Sequence, residues 1–214
     1  MKGLYFVTDR GLCGKTPVAE VVLQAIRGGA ACVQLREKDL ATRFFVEEAQ
    51  RIKAMMAPFH VPLIINDRLD VALAVSADGV HLGQEDMPYE TARRLMGPEA
   101  IIGLSVETWE DVERADGLDC DYLGVSPVFA TPTKLDTKAP WELEGLAKIR
   151  AFSRHSLVGI GGLHKGNAEA VIMAGADSVA VVSAVCASTD PYGTARELNQ
   201  IIRLSLEKRG KTDV

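Results

Sequence analysis

The stretch GVSPVFATPTKLDT, from Gly124 to Thr137, joins a predicted buried strand to a polar loop. The apolar run that leads into it, Tyr122 to Val128, is followed by three threonines, a proline, a lysine and an aspartate. Threonine hydroxyls, backbone N–H groups and an ammonium group suit a phosphorylated ligand better than they suit a simple turn. Most other apolar runs of the chain also end in reactive polar residues. This pattern is typical of a parallel barrel whose strand ends carry the chemistry.

Short β-branched runs alternate with longer amphipathic stretches at a period of roughly 25 residues, as in successive βα units. The runs are continuously apolar, as expected for parallel strands covered on both faces. Strands are predicted near Leu4–Thr8, Ala31–Arg36, Leu63–Asn66, Gly79–Leu82, Ile101–Val106, Tyr122–Val128, Leu157–Ile160 and Val179–Val182. Helices are predicted near Val18–Arg27, Arg43–Ala57, Arg68–Val75, Tyr89–Leu95, Thr108–Arg114, Leu143–Phe152, Asn167–Ala174 and Thr194–Leu206.

About eight βα cycles without a linker between them predict an α/β protein with one closed (β/α)8 TIM barrel. The barrel is predicted to be a single domain over residues 1–214, with residues 207–214 as a frayed polar tail. An open, doubly wound sheet is the alternative, because the first predicted strand is short.

The composition excludes several classes of partner. A formal net charge of -5 gives the chain no general attraction to nucleic acid or to an anionic membrane. The 4 cysteines are scattered, without metal-like spacing, and are predicted to be reduced thiols in a cytoplasmic protein. The first apolar run is too short for a signal-peptide core, and no apolar stretch is long enough to span a bilayer. Any bound anion must therefore be held by local basic residues and oriented amides.

Two basic residues follow the second predicted strand. Arg36 and Lys38 are two positions apart, so an extended backbone would point both side chains the same way. A planar guanidinium beside an ammonium group is a good pair for pyrophosphate. The alternative is a solvated rim in which Glu37 neutralises its neighbours.

Two aspartates follow the third and fourth predicted strands, which are neighbours in a barrel. Asp67 and Asp86 would repel each other there unless a cation lay between them. Hard oxygen ligands without histidine partners favour Mg²⁺, which takes one or two carboxylates and completes its shell with water and phosphate oxygens. Each aspartate could instead cap the helix that follows it. His81 is predicted to be a core or supporting histidine and not a metal ligand.

The fifth predicted strand ends in Gly103-Leu104-Ser105, which places a hydroxyl inside the barrel. A Gly-x-Ser-x-Gly elbow does not surround Ser105, so a ligand hydrogen bond or a buried core serine is favoured over a hydrolase nucleophile.

Small residues follow the last two predicted strands. Gly161 and Gly162 would let backbone N–H groups approach an anion closely, and Val182-Ser183 follows the next strand. In many barrels a phosphate binds at the loops after strands seven and eight. A tight turn is the alternative for the glycine pair. Together with the basic pair, these residues predict two anion sites, hence two phosphorylated substrates or one bisphosphorylated molecule.

These motifs give the chain a resemblance to the thiamine-phosphate synthase family over nearly its whole length. The matching stretches are Gln34–Lys38, Asn66–Arg68, Gly79–Asp86, Gly103–Ser105, Gly124–Thr137, Ile160–Gly162 and Val181–Ser183. The resemblance implies an enzyme that joins 4-amino-2-methyl-5-hydroxymethylpyrimidine diphosphate to a thiazole phosphate and releases pyrophosphate, with CO2 also released from a carboxylated thiazole. It implies a dissociative mechanism, in which pyrophosphate leaves first and the thiazole nitrogen captures the pyrimidine carbocation. Homo-oligomerisation is a further family-level expectation.

The resemblance also implies residue roles. The pyrimidine-diphosphate site would comprise Gln34, Leu35, Arg36, Glu37, Lys38, Asn66, Ser105 and Lys134. The thiazole-phosphate site would comprise Thr131, Pro132, Thr133, Gly162, Val182 and Ser183. Mg²⁺ would be held by Asp67 and Asp86, and the catalytic residues would be Arg36, Lys38, Ser105 and Lys134. The segment from Ala130 to Pro140 is predicted to be a lid.

One position departs from the family pattern, because Glu142 stands where the family usually has a glycine. A thiazole tautomerase on the same barrel is the nearest rival function, but it carries a histidine where this chain has Ser126-Pro127. A non-catalytic sensor of phosphorylated ligands would bind them without forming product. A phosphate-handling isomerase would turn over one substrate without releasing pyrophosphate.

Overall fold

The computed structural model describes residues 2–131 and 138–212. In these ranges parallel strands pair in chain order and close into a barrel, because β1 pairs with both β2 and β8. The strands are β1 (Gly3–Val7), β2 (Ala30–Leu35), β3 (Leu63–Asn66), β4 (Gly79–Leu82), β5 (Ile101–Val106), β6 (Tyr122–Val125), β7 (Ser156–Ile160) and β8 (Ser178–Val181). The predicted TIM barrel is confirmed, and the open sheet is excluded.

Helices follow the strands and cover the outside of the barrel. They are α1 (Val18–Arg27), α2 (Thr42–Met56), α3 (Leu69–Val75), α4 (Tyr89–Met96), α5 (Trp109–Asp116), α6 (Glu142–Phe152), α7 (Ala168–Met173), α8 (Ser183–Cys186) and α9 (Pro191–Thr212), with a short 3-10 helix at Ala57–Phe59. The short helix α8 is not predicted from the sequence. Across the described residues, none of the helices combines the length and apolar character needed to cross a bilayer.

Side chains along each strand alternate between the barrel interior and the helix layer. The interior cluster comprises Tyr5, Val7, Cys32, Ile64, Tyr122, Val158 and Ala180. Their sequence neighbours, such as Phe6, Val33 and Leu123, pack between the sheet and the helices. The interior is thus a filled core, and most of its polar inward side chains lie toward the carboxyl ends of the strands, with Ser156 and Ser178 as exceptions at the amino ends of β7 and β8.

The sixth strand is shorter than predicted. β6 ends at Val125, whereas the apolar pattern predicts a strand as far as Val128. Pro127 has no N–H group to donate, so the ladder cannot continue through it. Beyond the proline, the Val128 N–H donates to the Ile160 carbonyl at 2.8 Å, which holds the following loop against the end of β7.

The predicted frayed tail is wrong as far as the structure describes it, because α9 continues through Thr212. Arg209 pairs with Asp177 at 2.8 Å and donates to two main-chain carbonyls in and after α7. Arg203 and Glu207 form a further pair along the helix at 2.7 Å. Tertiary contacts therefore order a segment whose polar sequence favours fraying.

Candidate active site

A cavity of about 660 Å³ opens at the carboxyl ends of the barrel strands. Its volume falls within the range typical of small-molecule sites. Every strand end contributes to its wall, through Val7, Gln34, Asn66, His81, Ser105, Gly124, Ile160 and Val181 among others. The motifs that the sequence distributes along the chain therefore face one shared space.

One part of the wall, which we call the charged side, comprises Arg36, Lys38, Asp67 and Asp86. The Lys38 Nζ lies 2.5 Å from Asp67 Oδ2, and the Arg36 Nη1 lies 3.2 Å from Asp9 Oδ2. Asp67 has a left-handed backbone, with φ of 60°, which aspartate tolerates better than most residues. The predicted basic pair and the two aspartates are thus neighbours in space.

The second aspartate of the charged side is held by its own loop. Asp86 Oδ2 accepts a hydrogen bond from the Gly83 N–H at 2.7 Å. Burial raises the pKa of the Asp86 carboxyl, and the nearby Asp67 carboxylate raises it further. The two carboxylates are therefore close enough to repel each other.

Two neighbouring carboxylates that repel each other raise the question of whether a divalent cation fits between them. Among the residues that the structure describes, no cluster of three or more histidine, cysteine, aspartate or glutamate side chains could hold a metal. Mg²⁺ does not require such a cluster, because it commonly binds one or two carboxylates and keeps water or phosphate oxygens as its other ligands. Asp67 and Asp86 therefore fit Mg²⁺ that is bound together with a phosphorylated substrate.

The opposite part of the wall, which we call the glycine side, comprises Gly161, Gly162, Val182 and Ser183. The two glycines have φ of 103° and 65°, in the region that favours glycine. A Cβ on Gly161 would lie 2.7 Å from Pro127 Cβ, and one on Gly162 would lie 2.8 Å from the Ala130 carbonyl oxygen. Close packing and backbone conformation therefore both require glycine here, as the predicted tight turn does, and the anion contact stays a prediction.

Hydrogen-bonded side chains connect the cavity floor to its wall. The Gln34 Nε2 donates to the Tyr5 hydroxyl at 2.9 Å, and the Tyr5 and Tyr122 hydroxyls lie 2.7 Å apart. His81 lies between Tyr122 and Ser105, with Nδ1 3.0 Å from the tyrosine oxygen and Nε2 2.9 Å from the serine oxygen. His81 thus contacts both Tyr122 and Ser105 and itself lines the cavity, and its role as a core or supporting histidine stays a prediction.

Two predicted ligand residues lie away from the cavity. The Leu35 side chain is fully buried in the core between the sheet and the helices, because β2 alternates and points Gln34 and Arg36 inward. The Glu37 carboxylate turns toward Arg10, with 2.7 Å between Oε1 and Nη2. Neither side chain is part of the described cavity wall, so Glu37 does not neutralise Arg36 or Lys38 as the solvated-rim interpretation requires.

Three further predicted residues, Pro132, Thr133 and Lys134, lie outside the described residues, as does most of the predicted lid. The cavity wall also includes residues to which the sequence assigns no role, among them Tyr5, Tyr122, Glu107, Thr108 and Asp111. The alternation of inward and outward positions in β1 and β6 could identify the two tyrosines. Lys138 also lines the cavity; it belongs to the predicted lid segment, Ala130 to Pro140, but has no predicted role of its own.

The family-pattern departure at Glu142 coincides with an unusual backbone. Glu142 has φ of 52°, a left-handed conformation that glycine adopts at lower cost. Its N–H donates to the Val128 carbonyl at 2.9 Å, and the Trp141 N–H donates to the Pro127 carbonyl at 2.9 Å. These two bonds tie the start of α6 to the chain after β6. They hold Glu142 in a left-handed backbone conformation that glycine usually adopts.

Comparisons with known proteins agree with this geometry. The family described as thiamine monophosphate synthase matches residues 4–185. Thiamine-phosphate synthase from Albidiferax ferrireducens is 57% identical over 199 residues, which cover 93% of this chain and 91% of that protein. The corresponding protein from Syntrophomonas wolfei is 48% identical over 198 residues, covering 92% of this chain and 95% of that protein.

Solved structures show the same relationship. Thiamine phosphate pyrophosphorylase from Pyrococcus furiosus is 39% identical and superposes with a TM-score of 0.87, covering 95% of this chain and 96% of that one. A 3-hexulose-6-phosphate synthase structure superposes with a TM-score of 0.68 at 18% identity, covering 94% of this chain and 100% of that one, which shows a shared fold.

Proposed function

The chain belongs to the thiamine monophosphate synthase family, transferases that condense a pyrimidine with a thiazole into thiamine phosphate, and we propose how its barrel mouth performs that reaction. The substrates in this proposal are 4-amino-2-methyl-5-hydroxymethylpyrimidine diphosphate and a thiazole phosphate. The observation that carries the proposal is the meeting of Arg36, Lys38, Asp67 and Asp86 at one cavity wall, opposite the glycine side.

In this proposal the charged side binds the diphosphate. Arg36 offers a planar set of N–H donors and Lys38 a mobile ammonium group, and both already face the cavity. Asp67 and Asp86 would hold Mg²⁺, which would neutralise diphosphate oxygens and stabilise the charge that develops when the leaving group departs. The amides of Gln34 and Asn66, which are both nearly fully buried, would orient the pyrimidine ring.

The glycine side would bind the phosphate of the thiazole. The main-chain N–H groups near Gly162 and Val182 and the hydroxyls of Ser183 and Thr131 line the cavity there. A single phosphate carries less charge than a diphosphate, so amides and hydroxyls can satisfy it without a cluster of cations. By resemblance alone, Pro132 and Thr133 belong to this site and Lys134 to the diphosphate site.

The chemical step is proposed to be dissociative. The carbon–oxygen bond to the diphosphate breaks, its electron pair stays on the departing oxygen, and the pyrimidine methylene becomes a cation. The thiazole nitrogen then attacks this cation with its own lone pair, so this pathway needs no general base. Arg36, Lys38 and the Ser105 hydroxyl line the cavity and would face the region where negative charge builds, and donors already gathered there lower the cost of charge separation. Alignment of both substrates in one cavity supplies the rest of the acceleration.

The proposal is tested by pyrophosphate release from the purified protein. Release should require both precursors and Mg²⁺ together, and it should stop when EDTA removes the cation. Release from the pyrimidine diphosphate alone would instead indicate hydrolysis, and binding of both ligands without product would indicate a sensor. Conversion of one substrate without pyrophosphate would indicate an isomerase or a tautomerase, a function that the synthase names of the relatives disfavour.

Three further expectations from the sequence stay predictions. These are a cytoplasmic location, a homo-oligomeric state, and the use of small phosphorylated molecules as partners in place of nucleic acid or a membrane. Sedimentation of the purified protein at several concentrations would determine the oligomeric state.

A further inference from the structure

Five side chains form a continuous hydrogen-bonded row beneath the cavity. The row runs from Gln34 on β2 through Tyr5 and Tyr122 to His81, and it ends at Ser105 on β5. Its four links measure 2.9, 2.7, 3.0 and 2.9 Å. Only its last member, Ser105, is proposed to contact the departing diphosphate.

The row has a preferred direction because the amide nitrogen of its first member, and not the amide oxygen, faces the next hydroxyl. The Gln34 Nε2 gives a proton to the Tyr5 oxygen, and each tyrosine hydroxyl has one proton of its own to give. If Tyr5 donates to Tyr122, and Tyr122 donates to the His81 Nδ1, every proton meets a strong acceptor. With the Gln34 amide in this orientation, the reverse direction would turn the Tyr5 proton toward the neighbouring Cys32 sulfur, which is a weak acceptor. The forward direction is therefore favoured.

This direction decides which histidine nitrogen carries the proton. When Nδ1 accepts from Tyr122, neutral His81 must carry its proton on Nε2, and that N–H donates to the Ser105 oxygen. Ser105 then cannot donate to His81, so its own proton turns toward the cavity. We propose that His81 is a positioning residue. Tyr122 holds it as the Nε2–H tautomer, and in this form His81 aims the Ser105 hydroxyl proton at the leaving group. This proposal deepens the proposed function and rests on it for the identity of the leaving group.

The fold makes room for this row at two glycines. A Cβ on Gly103 would collide with the Tyr122 ring, and one on Gly124 would lie 2.9 Å from His81 Cε1. The His81 and Tyr122 rings stack with centroids 5.5 Å apart and planes 19° apart. Three neighbouring strands therefore hold these two rings in one arrangement.

Burial keeps the tyrosines available as donors. Both hydroxyls lie in the barrel interior, where burial raises the pKa of Tyr5 and of Tyr122 well above the ordinary tyrosine value. Both therefore keep their protons throughout the neutral range. A hydroxyl that is already aimed needs no reorientation when charge develops on the diphosphate, which is the condition for efficient electrostatic stabilisation.

The tautomer can be measured without any substrate. In protein labelled with 15N at histidine, long-range nitrogen–proton correlations show which ring nitrogen carries the proton, and the His81 signals are assigned by their loss in His81→Asn. We expect Nε2–H in the wild-type protein and an increased Nδ1–H fraction in Tyr122→Phe. Tyr89→Phe is the control, because it removes a tyrosine hydroxyl that lies outside the row and donates to the Asp119 carbonyl, so it should keep Nε2–H.

Three results would overturn the proposal in this measurement. They are Nδ1–H in the wild-type protein, an unchanged tautomer in Tyr122→Phe, and equal shifts in the two phenylalanine variants. Because each variant removes a single oxygen from a ring that keeps its shape, both are expected to fold, and the correlation spectra report this directly.

A kinetic pair tests whether the aimed proton matters for turnover. The side-chain amide nitrogen of glutamine can replace the Nε2–H donor to Ser105, whereas the shorter asparagine amide reaches only toward Tyr122. We expect His81→Asn to lower kcat by about 10- to 100-fold with little change in KM, and His81→Gln to recover most of the loss. Equal losses would show a merely structural role and overturn the proposal. If the wild-type protein itself released no pyrophosphate, the proposed function would fail, and the tautomer measurement would still decide the arrangement of the row.

Discussion

The charged side and the glycine side of the barrel mouth, which are proposed to bind different anions, are built in different ways. On the charged side, side chains carry the charges and are already paired, as in the 2.5 Å contact between Lys38 and Asp67. On the glycine side, the backbone itself forms the surface, and Gly162 with φ of 65° marks where it bends to the cavity. The first arrangement supplies full charges that can move, and the second supplies fixed dipoles.

The difference indicates which ligand each side suits. Before binding, Lys38 is paired with Asp67 and Arg36 with Asp9, so none of these charges lacks a partner. When a diphosphate binds with a cation, the basic groups can turn to the diphosphate and the carboxylates to the cation. A single phosphate needs fewer charges but a well-defined position, which rigid backbone provides. A substitution that removes a charge should therefore weaken ligand binding on the charged side. A substitution that changes the backbone shape should weaken it on the glycine side.

The largest effect is expected from Asp67→Asn. Asparagine tolerates the left-handed backbone and keeps the shape, so the change removes mainly the charge that would hold Mg²⁺ and pair with Lys38. We expect kcat/KM for the pyrimidine diphosphate to fall by about 100-fold, with binding of the thiazole phosphate retained. Pyrophosphate release and calorimetric binding measure the two quantities.

Asp70→Asn is the matched control for that change. Asp70 is exposed on α3, where it pairs with Arg68, and it should give near wild-type kinetics. Equal losses in the two variants would contradict a specific role for Asp67.

A smaller effect is expected from Gly162→Ala, which alters shape without altering charge. The new Cβ would lie 2.8 Å from the Ala130 carbonyl oxygen and 2.9 Å from Phe129 Cβ, so the backbone must shift. We expect KM for the thiazole phosphate to rise by about 10-fold while KM for the pyrimidine diphosphate changes little. Gly97→Ala controls for backbone strain, because Gly97 has φ of 84° but open space around its Cβ position. If both KM values rose together in Gly162→Ala, the two sides could not be treated as separate.

A modest effect on stability is expected from Asp86→Asn. The pKa of Asp86 is raised in the folded protein by burial and by Asp67, so the native state binds more protons than the unfolded chain just above the ordinary aspartate pKa. The free energy of unfolding that Asp86 contributes therefore falls as pH rises through that window. The variant has no titrating carboxyl at this position, so its free energy of unfolding does not fall in this way. The difference in free energy of unfolding, variant minus wild type, should therefore be more positive at about pH 7 than at about pH 4. Urea unfolding in EDTA at both pH values measures it, and an equal difference at both would contradict the raised pKa.

The smallest effect is expected from Glu37→Gln. Glu37 faces Arg10 and not the cavity, so turnover should change by less than about twofold, while loss of a nearly buried charged partner of Arg10 should lower the free energy of unfolding by about 1 kcal/mol. Steady-state kinetics and urea unfolding measure these changes. A large rise in KM for the pyrimidine diphosphate would restore Glu37 to the substrate site that the family resemblance implies for it.

Much of the fold is predictable from local pattern. The bounds predicted for β3, β4, β5 and α1 agree with the structure, because continuous apolar runs and amphipathic helices depend on short-range periodicity. The errors occur where long-range contacts act, as at the end of α9, which Asp177 holds through Arg209. The helix α8 is too short for any periodic signal.

The sequence predicts which residues belong to the candidate site better than it predicts how they are arranged in space. Charged and small residues at strand ends identify Arg36, Lys38, Asp67 and Asp86, because a parallel barrel brings its carboxyl ends together. The family resemblance adds Leu35 and Glu37 to the site, but β2 points Leu35 into the core between sheet and helices, and Glu37 pairs with Arg10. Which side chains meet across the barrel was beyond a linear pattern.

The sequence alone determined the barrel, its polar mouth and the family, since these depend on periodicity and on ordered motifs. Only the tertiary structure decided that Tyr5, Tyr122 and His81 join Gln34 to Ser105. Hydrogen-bonded neighbours in this row are far apart in the sequence, and Tyr5 and Tyr122 are separated by 117 positions. Strand register and the space left by Gly103 and Gly124 bring them within hydrogen-bonding distance. A contact of that kind requires the closed sheet, since hydrogen bonds form only over a few ångströms and in the right direction.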